Sequence, residues 1–72
     1  MSPDKLVYMA NQIGKFFASQ GRDDEATAVA GIETHLRKFW DPRMRKQIVD
    51  ELDTAALDPR VRLAVERLKN PV

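Results

Sequence analysis

The sequence predicts an all-α fold, a small bundle of about four short helices, three of them starting at Ser-Pro or Asp-Pro. Three observations carry this. The phrase Trp40-Asp41-Pro42-Arg43-Met44-Arg45 recurs seventeen residues later as Leu57-Asp58-Pro59-Arg60-Val61-Arg62. Each copy reads as a helix start: the Asp carboxylate accepts from orphan backbone N–H groups, and Pro at the first helical position gives up only an N–H with no intrahelical partner. Ser2-Pro3 is a third start. Apolar residues between these starts recur at helical spacing, and no segment shows the period-two alternation of a half-buried strand.

The first helix spans about Pro3 to Gln20 behind the Ser2 cap, with Gly21 placed for a left-handed C-cap. Leu6, Met9, Ala10, Ile13, Phe16 and Phe17 follow its period, and with Val7 and Ala18 they cover an arc of roughly 200°, wider than an ordinary surface stripe. Asn11, Lys15 and Ser19 are left for solvent. This helix is either the centre of the bundle or half of an intermolecular interface. The second helix starts at Asp23 or Asp24, where acidic residues suit a helix amino terminus. Val29, Ile32, Leu36 and Phe39 mark its inner face, and Glu33 and Arg37 form a favourable i,i+4 pair. The third starts at Asp41-Pro42 with Met44, Ile48 and Leu52 inward. The fourth starts at Asp58-Pro59 with Val61, Ala64, Val65 and Leu68 inward, and ends at Asn70-Pro71. The Thr54-Ala55-Ala56 linker reads as the loosest. Gly14 and Gly31 sit inside helices, at a cost of about 1 kcal/mol each relative to Ala. They are either tolerated or mark a close approach of helices one and two.

Residues 1–72 form one small domain. A chain this short buries only about 60% of its unfolded surface, so support from a partner is expected. The chain has no Cys, which excludes disulfides and thiolate metal sites and fits a reducing compartment. Asp4 and Lys5 precede any apolar run, unlike a signal peptide, and no apolar run approaches the roughly 20 residues of a membrane span. A cytoplasmic, membrane-free protein is expected. Net charge is +1, yet residues 37–46 carry Arg37, Lys38, Arg43, Arg45 and Lys46 against Asp41 alone. Such a local patch suggests one oriented contact with something acidic, not the broad basic footprint of a nucleic-acid binder.

No catalytic, cofactor-binding or metal site is expected. His35 is the only His, with no Cys or partnered Ser to build a nucleophilic site. It reads as a surface or interface residue. Asp23-Asp24-Glu25 suits a helix dipole, and Asp50-Glu51-Asp53 reads as solvated charge that pairs with Arg45 and Lys46. The expected partner surface is the corner: Trp40 as anchor, since Trp and Arg dominate interface hot spots, with Arg37, Lys38, Arg43 and Arg45 around it, and Phe17 from the spare arc of helix one. Phe39, Asp41 and Pro42 build the corner itself. Helix-turn-helix DNA binding is a weaker reading, because helix four is not distinctly basic and its joint with helix three is long.

The strings Lys5-Leu6-Val7-Tyr8-Met9-Ala10-Asn11-Gln12-Ile13, Phe16-Phe17 and His35-Leu36-Arg37-Lys38-Phe39-Trp40-Asp41-Pro42-Arg43-Met44-Arg45 resemble the delta subunit of bacterial cytoplasmic NAD-dependent, molybdenum-containing formate dehydrogenases, over roughly residues 4–54. The resemblance implies a small non-catalytic accessory subunit that binds no cofactor itself. Its complex would carry molybdenum cofactor, iron–sulfur clusters, FMN and NAD. It would bind the large catalytic subunit and support assembly and molybdenum cofactor loading, and the isolated chain could self-associate. The alternative is a stand-alone helical adaptor or nucleic-acid-binding regulator.

Overall fold

Helix starts in this chain are written by local chemistry. In a computed structural model that describes residues 2–19 and 24–69, four helices follow one another: α1 (Pro3–Ser19), α2 (Glu25–Phe39), α3 (Pro42–Asp50) and α4 (Pro59–Leu68). The Lys5 N–H donates to Ser2 Oγ at 3.4 Å, at the start of α1. Asp24 caps α2 by accepting from the Thr27 N–H at 2.9 Å, and that bond holds its carboxyl below the usual carboxylate range. Asp41 accepts from the Met44 N–H at 2.8 Å, and Asp58 from the Arg60 N–H at 3.0 Å. Both Asp-Pro phrases are therefore helix starts. The expectations placed on Gln20, Gly21, Asp23 and Asn70-Pro71 lie outside the described residues.

The core is drawn from all four helices and the joints between them: Leu6 and Ala10 from α1; Val29, Ile32 and Leu36 from α2; Ile48 from α3; and Val61, Ala64 and Val65 from α4. Trp40, Leu52 and Leu57, all outside helices, complete it. The principal seam is α2 against α4, while α1 touches each of the other three. The wide apolar arc of α1 is thus partly explained by a central position. It is not wholly consumed, because Phe16 remains 59% exposed.

Both helix glycines mark close approaches, but not to one another. A Cβ on Gly14 would collide with the Val61 Cγ2 methyl of α4. A Cβ on Gly31 would lie 2.8 Å from ring carbons of Phe17 on α1. Gly14 therefore sets the distance between α1 and α4, and Gly31 lets the Phe17 ring approach the backbone of α2.

The last Arg of each repeated phrase has the same structural task. Arg45 Nη1 donates to the Arg37 carbonyl at 2.7 Å, in the last turn of α2. Arg62 donates from Nη1 to the Leu52 carbonyl and from Nη2 to the Ala55 carbonyl at 3.1 Å. Each helix start thus clips itself to carbonyls of the segment before it. The residues before the Asp, Trp40 and Leu57, are both buried. Asn11, expected to face solvent, instead ties α1 to the α3–α4 joint: its Nδ2 donates to the Ala56 carbonyl at 3.0 Å and its Oδ1 accepts from the Asp58 N–H at 2.9 Å. The stretch that looks loosest in the sequence is held from two sides.

Candidate interaction surface

Helices α1 and α2 lay out a file of rings. Consecutive Phe16 and Phe17 meet edge to face with centroids 5.3 Å apart. Phe17, seated over Gly31, crosses to His35 on α2 at 6.3 Å, again edge to face. One turn on, His35 meets Phe39 at 4.8 Å. Such ring pairs contribute about 0.5–1.5 kcal/mol beyond the area they bury. The two ends of the file lie largely in solvent, Phe16 59% exposed and Phe39 71%, while Phe17 and His35 are half-buried. A shallow hollow of about 340 Å³, lined by Gln12, Ile13, Phe16, Phe17 and His35, adjoins a groove of about 490 Å³ whose wall includes Thr34, Lys38 and Phe39. Exposed apolar surface rimmed by polar residues is a candidate interaction surface, and aromatic side chains are enriched in protein interfaces.

The expected corner is redistributed. Trp40, expected as an anchor for a partner, is 5% exposed and belongs to the core. Phe39, expected to build the corner from inside, points into solvent. The cause is the chain direction: α2 ends at Phe39, and Trp40 takes an extended conformation (φ −93°, ψ 134°) as its C-cap. That step turns the indole inward, and at the end of α2 the inner stripe gives way to Trp40 in place of Phe39. Asp41 and Pro42 do form the start of α3.

The four cations do not form one patch either. Arg37 Nε donates to Glu33 at 2.9 Å and its Nη2 to the Arg67 carbonyl at 3.0 Å. Arg45 is committed to the Arg37 carbonyl. Lys38 and Arg43 are exposed and have no side-chain partner among the described residues, and only Lys38 borders the aromatic groove. Asp50, Glu51 and Asp53 do not pair with Arg45 or Lys46 as their spacing suggested. The ion pairs among the described residues are those of Glu33 with Arg37 and Arg67, and Glu51 instead accepts from the Thr54 hydroxyl at 3.1 Å. Among the described residues no cluster of three His, Cys, Asp or Glu side chains could hold a metal ion, and no helix is long and apolar enough to cross a membrane.

A family model for the NADH-dependent formate dehydrogenase delta subunit FdsD matches residues 5–65 of the chain. The chain belongs to this family. No curated protein and no solved structure gives a significant match. The delta-subunit match extends past the strings that suggested it, through the α3–α4 joint and into α4. It spans the aromatic file, both Asp-Pro starts and the Asn11 tie. The aromatic file itself was only partly legible: Phe17 stood out on the spare arc of helix one, while the partnership of Phe16, His35 and Phe39 needed the pairing of α1 with α2.

Proposed function

We propose that this delta-subunit chain is a non-catalytic accessory subunit of NAD-dependent formate dehydrogenase that docks on the large catalytic subunit through its aromatic file. In this reading it supports assembly of the complex and loading of the molybdenum cofactor. The chain itself binds none of the molybdenum cofactor, iron–sulfur clusters, FMN or NAD of that complex. The observation that carries the reading is the exposure of Phe16 and Phe39 on a domain with few residues to spare. Leaving two phenyl rings more than half exposed forgoes part of the about 1.5–3 kcal/mol that full burial of such a ring contributes, a loss that a partner recovers. Lys38 beside the groove supplies a polar rim for an acidic group.

The test is Phe16→Ser/Phe39→Ser in cells that express the whole complex, with the large subunit recovered on the tagged delta subunit and molybdenum measured on the recovered enzyme. Buried aromatic anchors contribute about 2 kcal/mol or more each at an interface, so the folded double variant is expected to lose the large subunit and to lower molybdenum occupancy. Normal recovery and full loading with a folded double variant would refute the reading.

A further inference from the structure

A second surface lies where the ends of α2 and α4 meet α3, and it shares no residue with the aromatic groove. Four cations, Arg37, Arg45, Lys46 and Lys69, surround an open cleft of about 320 Å³, and among the described residues no Asp or Glu lines it. Its apolar lining is Pro42, Val49 and Leu68. Lys46 and Lys69 are exposed and have no side-chain partner among the described residues. The two guanidiniums are already fixed, Arg37 by Glu33 and the Arg67 carbonyl, Arg45 by the Arg37 carbonyl. A guanidinium has five N–H donors, so both retain donors after these bonds. Holding them in place beforehand lowers the ordering cost of binding an anion.

The shape discriminates between kinds of anion. Arg and Lys side chains take carboxylate or phosphate alike, but many phosphate sites add backbone N–H groups gathered at a helix start or a Gly-rich loop. Here Pro42 has no N–H, and the Met44 N–H at the same helix start is taken by Asp41. The apolar lining instead asks for an aliphatic side chain between charges. We infer that this cleft receives a short acidic segment of a partner protein, an aliphatic side chain resting on Val49 and Leu68 with flanking carboxylates on the four cations. This surface is independent of the aromatic file and of the partner proposed for it.

The test uses the full chain and a fluorescein-labelled peptide in which one leucine is flanked by two glutamates on each side. Fluorescence anisotropy at low ionic strength should show saturable binding that weakens as salt is added. Methyl shifts in NMR spectra should move at Val49 and Leu68. Lys46→Glu/Lys69→Glu should weaken binding at least about tenfold, since inverted charges oppose the carboxylates. Lys15→Glu, the same charge change outside the cleft, should not. A peptide with serine in place of leucine should bind more weakly. Phe16→Ser/Phe39→Ser should bind the peptide like the native chain, so failure at this cleft and failure at the aromatic file are read separately. The inference is overturned by absence of binding, by indifference to the lysine reversals or to the leucine, or by inorganic pyrophosphate occupying the cleft more tightly than the peptide.

Discussion

Replacing Asn11 by Ala removes both bonds that tie α1 to the α3–α4 joint, at 3.0 and 2.9 Å. A neutral hydrogen bond contributes about 0.5–1.5 kcal/mol net, and a buried group left unpaired costs more than an exposed one. Ala56 is exposed, so its carbonyl recovers water; the Asp58 N–H is half-buried and recovers less. Against this, Ala is the better helix former by up to about 0.7 kcal/mol. The balance is a loss of about 1 kcal/mol, which for a domain of this size lowers the thermal midpoint by about 4–8 °C. Asn11→Asp keeps the acceptor for the Asp58 N–H but turns the donor into a second acceptor opposite the Ala56 carbonyl, so at pH 7 it should lose at least as much. Urea unfolding gives the free-energy change, and hydrogen exchange at the Asp58 amide reports the broken bond directly. If Asn11→Ala unfolds within about 0.3 kcal/mol of the native chain and Asp58 exchange is unchanged, the tie is not a structural constraint and the reasoning fails.

Gly14→Ala gains about 1 kcal/mol of helix propensity but drives a methyl into Val61, and overpacking costs about 1–3 kcal/mol; a net loss is expected in thermal melts, and a stabilised variant would mean that α1 and α4 separate freely. Arg45→Ala should cost about 1–2 kcal/mol by releasing the Arg37 carbonyl, whereas Arg43→Ala, exposed and without a side-chain partner among the described residues, should stay within about 0.5 kcal/mol; equal urea midpoints for the two would remove the distinction between clip and free cation.

The helix starts were legible because an Asp or Ser cap and a following Pro act within three residues, whatever the rest of the chain does. The inner faces of α2 and α4 were legible for a similar reason, since periodicity marks them wherever something packs above. The reading failed where the deciding contact lies across the molecule or beyond a helix end. Phe39 follows the period of Val29, Ile32 and Leu36, but the helix stops there and Trp40 fills the core instead. Arg45 and Arg43 are indistinguishable by charge and spacing; only the carbonyl of Arg37 separates them. Asn11 looked like one more polar residue on a wet face, because its partners lie 45 and 47 residues away.

That separation along the chain has a consequence for the order in which the molecule assembles. The arginine clips close short loops, spanning 7, 8 and 10 residues, whereas the Asn11 tie spans nearly two-thirds of the chain. By the logarithmic scaling of loop-closure entropy, the long closure costs about 1.5 kcal/mol more than a clip. Residues from the end of α2 onward can therefore find their register among near neighbours, with α1 docking onto a scaffold already shaped to receive it. Destabilisation by Asn11→Ala then falls on the unfolding limb of a chevron plot, leaving the folding rate nearly untouched. Loss of the Arg45 clip falls on the folding limb.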